Sequence, residues 1–100
     1  MRDKCTELRD LAMIDILVST GMRVGELVLL NREDINFNER ECVVFGKGDK
    51  ERIEYFGART KIHLKNYLES RNDSNPALFV SLYSPFERLQ ISGVEVRLRE

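Results

Sequence analysis

The tightest constraint on the fold is a pair of short β-prone runs, Glu41-Cys42-Val43-Val44-Phe45 and Arg52-Ile53-Glu54-Tyr55-Phe56, separated by Gly46-Lys47-Gly48-Asp49-Lys50-Glu51. β-Branched and aromatic residues favour extended backbone, and a short glycine-bearing link between two such runs reads as a hairpin loop. The flanks read as helices. From Thr6 to Thr20, Leu8, Leu11, Ala12, Ile14, Leu17 and Val18 recur at three- and four-residue spacing, with Thr6 suited to the N-cap and Gly21 to the C′ position. A second short helix is expected from Arg23 to Leu30, burying Val24, Leu27, Val28 and Leu30, with Thr20-Gly21-Met22 as the tight turn of a helical corner. Asn31-Arg32-Glu33-Asp34 reads as a closing turn.

Beyond the hairpin, residues 58–71 read as a helix with Ile62, Leu64, Tyr67 and Leu68 on its apolar stripe, and Leu78-Phe79-Val80 as a buried extended segment. Ser92-Gly93-Val94-Glu95 has capping-box spacing, so a helix is expected to start there. It would be cut short at Glu100, exposing Val94, Val96 and Leu98. The fold class is α+β: a helical corner, a small antiparallel β-hairpin or sheet, and further helices, in a single domain over residues 1–100.

Composition removes several function classes. With 42% hydrophobic and 33% charged residues the chain is not a disordered one, and a formal net charge of −1 argues against a uniformly basic nucleic-acid binder. No apolar run reaches the ~20 residues a membrane helix needs. Cys5 and Cys42 show no CxxC spacing, which suggests a reducing, cytoplasmic setting, with Cys42 a buried strand residue. One histidine, His63, and two distant cysteines make no zinc site, and neither metal nor cofactor is expected.

Two stretches carry chemistry. In Thr20-Gly21-Met22-Arg23-Val24-Gly25-Glu26-Leu27 an arginine stands in the first turn of a helix, where the backbone's partial positive charge disfavours a cation by roughly 0.3–1 kcal/mol. That placement makes sense if guanidinium and backbone N–H groups share an anion. The plainer reading is an exposed Arg23 paired with Glu26. In the second stretch Lys47 stands between two glycines, which let a backbone approach a bulky ligand closely. The plainer reading there is a solvated hairpin tip.

Together, a TG-x-R-x-x-E-L corner and a GKG-x-KER hairpin, with Asp34-Ile35, Leu78-Phe79-Val80-Ser81 and Leu89-Gln90-Ile91-Ser92-Gly93-Val94 in order after them, resemble the tyrosine recombinase (phage integrase) family over nearly the whole chain. The resemblance implies that Arg23 binds the non-bridging oxygens of a scissile DNA phosphate and that Lys47 protonates the departing 5′-oxygen as general acid. It implies that Glu26 orients the basic groups, while Lys50 and Arg52 contact the DNA backbone or cap the hairpin. The whole enzyme would be a site-specific recombinase that breaks and rejoins double-stranded DNA through a 3′-phosphotyrosine, in a synaptic tetramer of protomers, without metal or membrane.

The family's later H-x-x-R pair and tyrosine nucleophile are not among these 100 residues: Asn66 stands three positions after His63, and Tyr55, Tyr67 and Tyr83 all precede the nucleophile's place. Tyr55 and Tyr67 read as packing residues and His63 as a partly exposed helix residue. Residues 1–100 are thus expected to be part of a catalytic domain, inactive alone and weak, steeply salt-dependent in any DNA binding. The alternatives are a non-catalytic nucleic-acid-binding or regulatory α/β module, and a structural protein-interaction domain. Convergence of Arg23 and Lys47 on one face, with Glu26 nearby, separates the first reading from the last.

Overall fold

Gly21 divides the first forty residues in two. It sits at φ +70°, the left-handed conformation that ends a helix without a Cβ penalty, and its N–H closes on the Leu17 carbonyl at 2.9 Å. The computed structural model describes residues 4–46, 50–81 and 87–94. Helix α1 spans Lys4–Thr20, and after the turn at Gly21 the chain enters the five-residue helix α2, Val24–Val28. α2 is shorter than the Arg23–Leu30 helix expected. Leu27 and Leu30 are buried as anticipated, while Val24 and Val28 only flank the core.

The buried line of α1 differs from the expected one. Ala12, Met13 and Ile16 are fully buried, and Leu11, Ile14 and Val18 are exposed, Val18 by 79%. The physical reason lies one turn earlier. Arg9 continues the Ala12–Met13–Ile16 stripe at helical spacing and is itself only 4% exposed, so the buried face begins with a cation that an apolarity count cannot see. α1 packs chiefly against helix α3, Ala58–Ser70. There Thr60, Leu64 and Tyr67 turn inward, Leu68 is partly buried, and Ile62 is exposed instead of lying on the stripe.

Between the helices lies a three-stranded antiparallel sheet in the order β1-β2-β3: β1 Ile35–Asn36, β2 Glu41–Phe45 and β3 Glu51–Tyr55. A 3₁₀ turn at Arg32–Asp34 precedes it, held by the Asp34 carboxylate accepting the Asn31 N–H at 2.9 Å. Register pairs Cys42 with Glu54 and Val44 with Arg52, so the period-two alternation buries Cys42 and Val44 against the helices. Burial pushes the Cys42 thiol up to about 11. β3 is an edge strand, and Tyr55 is 65% exposed opposite Glu41, not a packing residue.

The segment after α3 is held by arginines. Ala77 to Val80 are buried, bridged to Asn31 at one end and Arg88 at the other, and Phe79 stacks on Tyr67 with ring centroids 5.4 Å apart. Arg71 donates to the carbonyls of Asn75, Ala77 and Leu78 and to the Asp73 carboxylate, and Arg9 reaches the Val80 carbonyl. A helical turn at residues 91–94 starts on the Gln90 carbonyl, which accepts from Gly93 and Val94, so Ser92 lies inside the turn and is not its cap. Val94 is fully buried, contrary to expectation; Val96 and Leu98 lie outside the described residues. Among the described residues no helix is long and apolar enough to cross a membrane.

Candidate functional site

Arg23 is the N-cap of α2, with extended backbone at φ −81° and ψ 154°. Its own N–H donates to Glu26 Oε1 at 2.9 Å, a one-sided capping box that fixes the first turn. The side chain is exposed, and among the described residues its guanidinium makes no hydrogen bond or ion pair. The plainer pairing of Arg23 with Glu26 is therefore made by a backbone hydrogen bond, with the two charges only attracting each other at longer range. With only five residues, α2 also carries little macrodipole, so the repulsion expected for a cation at a helix start is small.

The Glu26 carboxylate serves another cation. Arg52, on β3, donates from Nη1 to Glu26 Oε2 at 2.7 Å and from Nη2 to Oε1 at 3.0 Å, a bidentate pair across 26 positions of sequence. Its Nε donates to Glu54 Oε1 at 2.8 Å, so each of the three guanidinium nitrogens donates to a carboxylate. The Arg52 hydrogen bond, followed by the Arg23 N–H, holds the Glu26 carboxyl down at about 2, against an ordinary 4.5. Reciprocally, Glu26 and then Glu54 raise Arg52. The sequence offered no signal for this pairing, since the partners lie on elements that meet only in the folded chain.

These residues form the walls of an open cleft of about 400 Å³ lined by Gly21, Arg23 and Glu26 on the corner side and by Gly46, Lys50 and Arg52 on the hairpin side. Glu51 also lines it, a carboxylate the motif reading did not single out. The hairpin root closes through Gly46 N–H to the Lys50 carbonyl at 2.8 Å. Lys50 is exposed on the cleft rim. Lys47 lies outside the described residues, as do Gly48 and Asp49, so the expected meeting of Arg23 with Lys47 is not addressed by the described geometry. What the fold does bring to one face is Arg23, Glu26, Lys50 and Arg52.

Other titratable residues are engaged elsewhere. His63 is half-buried on α3, with its ring nitrogen on Asp15 of α1, while Tyr67 is packed in the core with its hydroxyl accepting the Val80 N–H at 3.2 Å. Tyr83 lies outside the described residues. Among the described residues no three His, Cys, Asp or Glu side chains gather as a metal would require.

Known proteins resemble this chain in sequence and fold. A tyrosine recombinase XerC of Staphylococcus aureus is 45% identical over 67 residues, covering 67% of this chain and 22% of its own length. The crystal structure of XerA recombinase superposes with a TM-score of 0.81 at 32% identity, covering 94% of this chain and 34% of XerA. XerH site-specific recombinase, solved bound to its difH substrate in a pre-cleavage complex, matches with a TM-score of 0.73 at 27% identity over 90% of this chain and 27% of XerH. The chain thus spans between about a fifth and a third of the proteins it matches. The model of the phage integrase family fits residues 1–100, the full length described by the sequence, and this chain belongs to that family.

Proposed function

We propose that residues 1–100 are part of the catalytic domain of a cytoplasmic site-specific tyrosine recombinase, and that the cleft between corner and hairpin receives one phosphodiester of double-stranded DNA. The observation that carries this reading is the state of Arg23: exposed, pointing no hydrogen bond at any described residue, and lining a cleft with Lys50 while all three Arg52 guanidinium nitrogens donate to carboxylates. A planar guanidinium suits two non-bridging phosphate oxygens at once and stabilises the charge that grows on them as the phosphorus becomes five-coordinate. Lys47, next in sequence to the cleft-lining Gly46, would donate the proton the departing 5′-oxygen needs. Lys50 would neutralise a neighbouring phosphate.

The tyrosine that attacks phosphorus, together with the second half of the phosphate clamp, has no candidate in these 100 residues, so cleavage requires groups they do not supply. The test is single-turnover cleavage of duplex DNA by a full-length recombinase carrying this chain. Arg23→Ala should lower the rate by about 10²–10³-fold, the usual loss on removing one transition-state charge contact, while thermal unfolding stays in place because the side chain is exposed. A variant that cleaves at the parental rate would overturn the assignment. Binding without cleavage in the parent itself would favour a non-catalytic nucleic-acid module.

A further inference from the structure

We propose that Arg52 is a positioning residue whose bidentate grip on Glu26 sets the hairpin against the α2 corner, and that it is not a phosphate ligand. The inference rests on the proposed function only for what the hairpin is positioned to do; the mechanical part stands on the geometry.

Three observations carry it. First, every nitrogen of the Arg52 fork already donates one N–H to a carboxylate, at 2.7, 3.0 and 2.8 Å, so two carboxylates offset its charge and only two of its five N–H groups are left over. Second, Glu26 Oε1 accepts from Arg52 and from the Arg23 N–H at once. A single carboxylate therefore links β3 to the backbone of the residue whose side chain lines the cleft. Third, the pair sits at the root of the loop. A Cβ built on Gly46 would lie 3.4 Å from Glu26 Oε2 and 3.5 Å from Arg52 Nη1, and the Gly46 N–H is the one that closes on Lys50. The loop that carries Lys47 thus leaves the sheet directly beside the ion pair. Bidentate geometry matters here, because two parallel hydrogen bonds fix an angle as well as a distance, which a lysine ammonium cannot do.

The two roles predict different behaviour. A phosphate ligand contributes charge, so Arg52→Lys should retain most DNA affinity, whereas Arg52→Gln should weaken it and lower the slope of log K against log salt by about one. A positioning residue contributes geometry, so Lys and Gln should fail alike and the salt slope should stay unchanged.

The experiment compares the parent, Arg52→Lys, Arg52→Gln and the exchanged pair Glu26→Arg/Arg52→Glu in the full-length protein. It measures amide exchange at Gly46, duplex affinity across a salt series, and single-turnover cleavage. Expected are at least tenfold faster Gly46 exchange and at least tenfold slower cleavage in both single variants. Affinity should hold within twofold at unchanged salt slope, with partial recovery of Gly46 protection in the exchanged pair. Unchanged Gly46 exchange in Arg52→Gln overturns the proposal whatever cleavage does. So does a slope reduced by one with Arg52→Lys behaving as the parent. The proposed function is judged separately by Arg23→Ala: should that variant cleave normally, the reading of the cleft falls while Gly46 exchange still decides the role of Arg52.

Discussion

Two regions of this molecule use arginine in opposite ways. Away from the cleft, Arg9, Arg71 and Arg88 donate to main-chain carbonyls, Arg9 to Val80, Arg71 to Asn75, Ala77 and Leu78, and Arg88 to Val28 and Leu30. On the side where α2 meets the hairpin, among the described residues, Arg52 donates only to carboxylates and Arg23 donates its guanidinium to none. The difference teaches where charge is structural and where it is held in readiness. A small α+β unit with short helices and a two-residue strand leaves many carbonyls without ladder partners, and buried carbonyls must be satisfied. Arginine, with five donors on a long stem, closes several at once. An arginine that closes none, on a cleft wall, is available to a ligand.

The largest effect that would break this contrast is Arg71→Ala. Its side chain is 5% exposed and serves three carbonyls and Asp73, and its loss would take this donor from the buried Ala77 and Leu78. The expected loss is about 3–5 kcal/mol in urea unfolding, a large share of the 5–15 kcal/mol typical of a domain. A loss below 1 kcal/mol would mean the carbonyls find other partners. Next in size is a paired comparison on α1: Met13→Ala, at a fully buried site, should cost about 2–5 kcal/mol, and Val18→Ala, at 79% exposure, no more than about 0.5 kcal/mol. Reversal of that order would contradict the observed face of α1.

A smaller effect distinguishes the cleft side by pH. Glu26 is held near 2 in the folded chain against 4.5 ordinarily. A depressed folded value stabilises the ionised form, so the Arg52–Glu26 pair contributes fully above about 4.5 and loses its contribution as pH falls from there toward 2. Gly46 amide exchange, corrected for intrinsic rates, should quicken over that window, and Glu26→Gln should abolish the pH dependence. Asp73 is lowered too, chiefly by Arg71, so global unfolding also becomes acid-sensitive; the local Gly46 signal is what separates the two.

What was legible in the sequence followed from short-range physics. The hairpin came from two β-prone runs around glycines, the corner from Gly21, and the third helix from its inward Leu64 and Tyr67. The inward face of α1 was not legible, because Arg9 reads as a solvated residue until a carbonyl 71 positions away is brought to it. Tyr55 looked like a sheet packing residue because alternation alone cannot tell an edge strand's open face from its covered one. In the site, motif order singled out Arg23, Glu26, Lys47, Lys50 and Arg52; the fold gathers Arg23, Glu26, Lys50 and Arg52 on one cleft, and Lys47 lies outside the described residues. That Glu26 would hydrogen-bond the Arg52 side chain but only the backbone of Arg23 depended on tertiary contact and left no trace in spacing.

The central claim is that Arg23 alone, among Arg9, Arg23, Arg52, Arg71 and Arg88, keeps its guanidinium free for an anion. Side-chain Nε–Hε resonances of those five arginines, followed while duplex DNA is titrated in, test it directly. The account predicts that the Arg23 signal moves and saturates while the other four stay within line width. A titration in which Arg23 remains still, or in which Arg52 leaves Glu26 to follow the DNA, would contradict it.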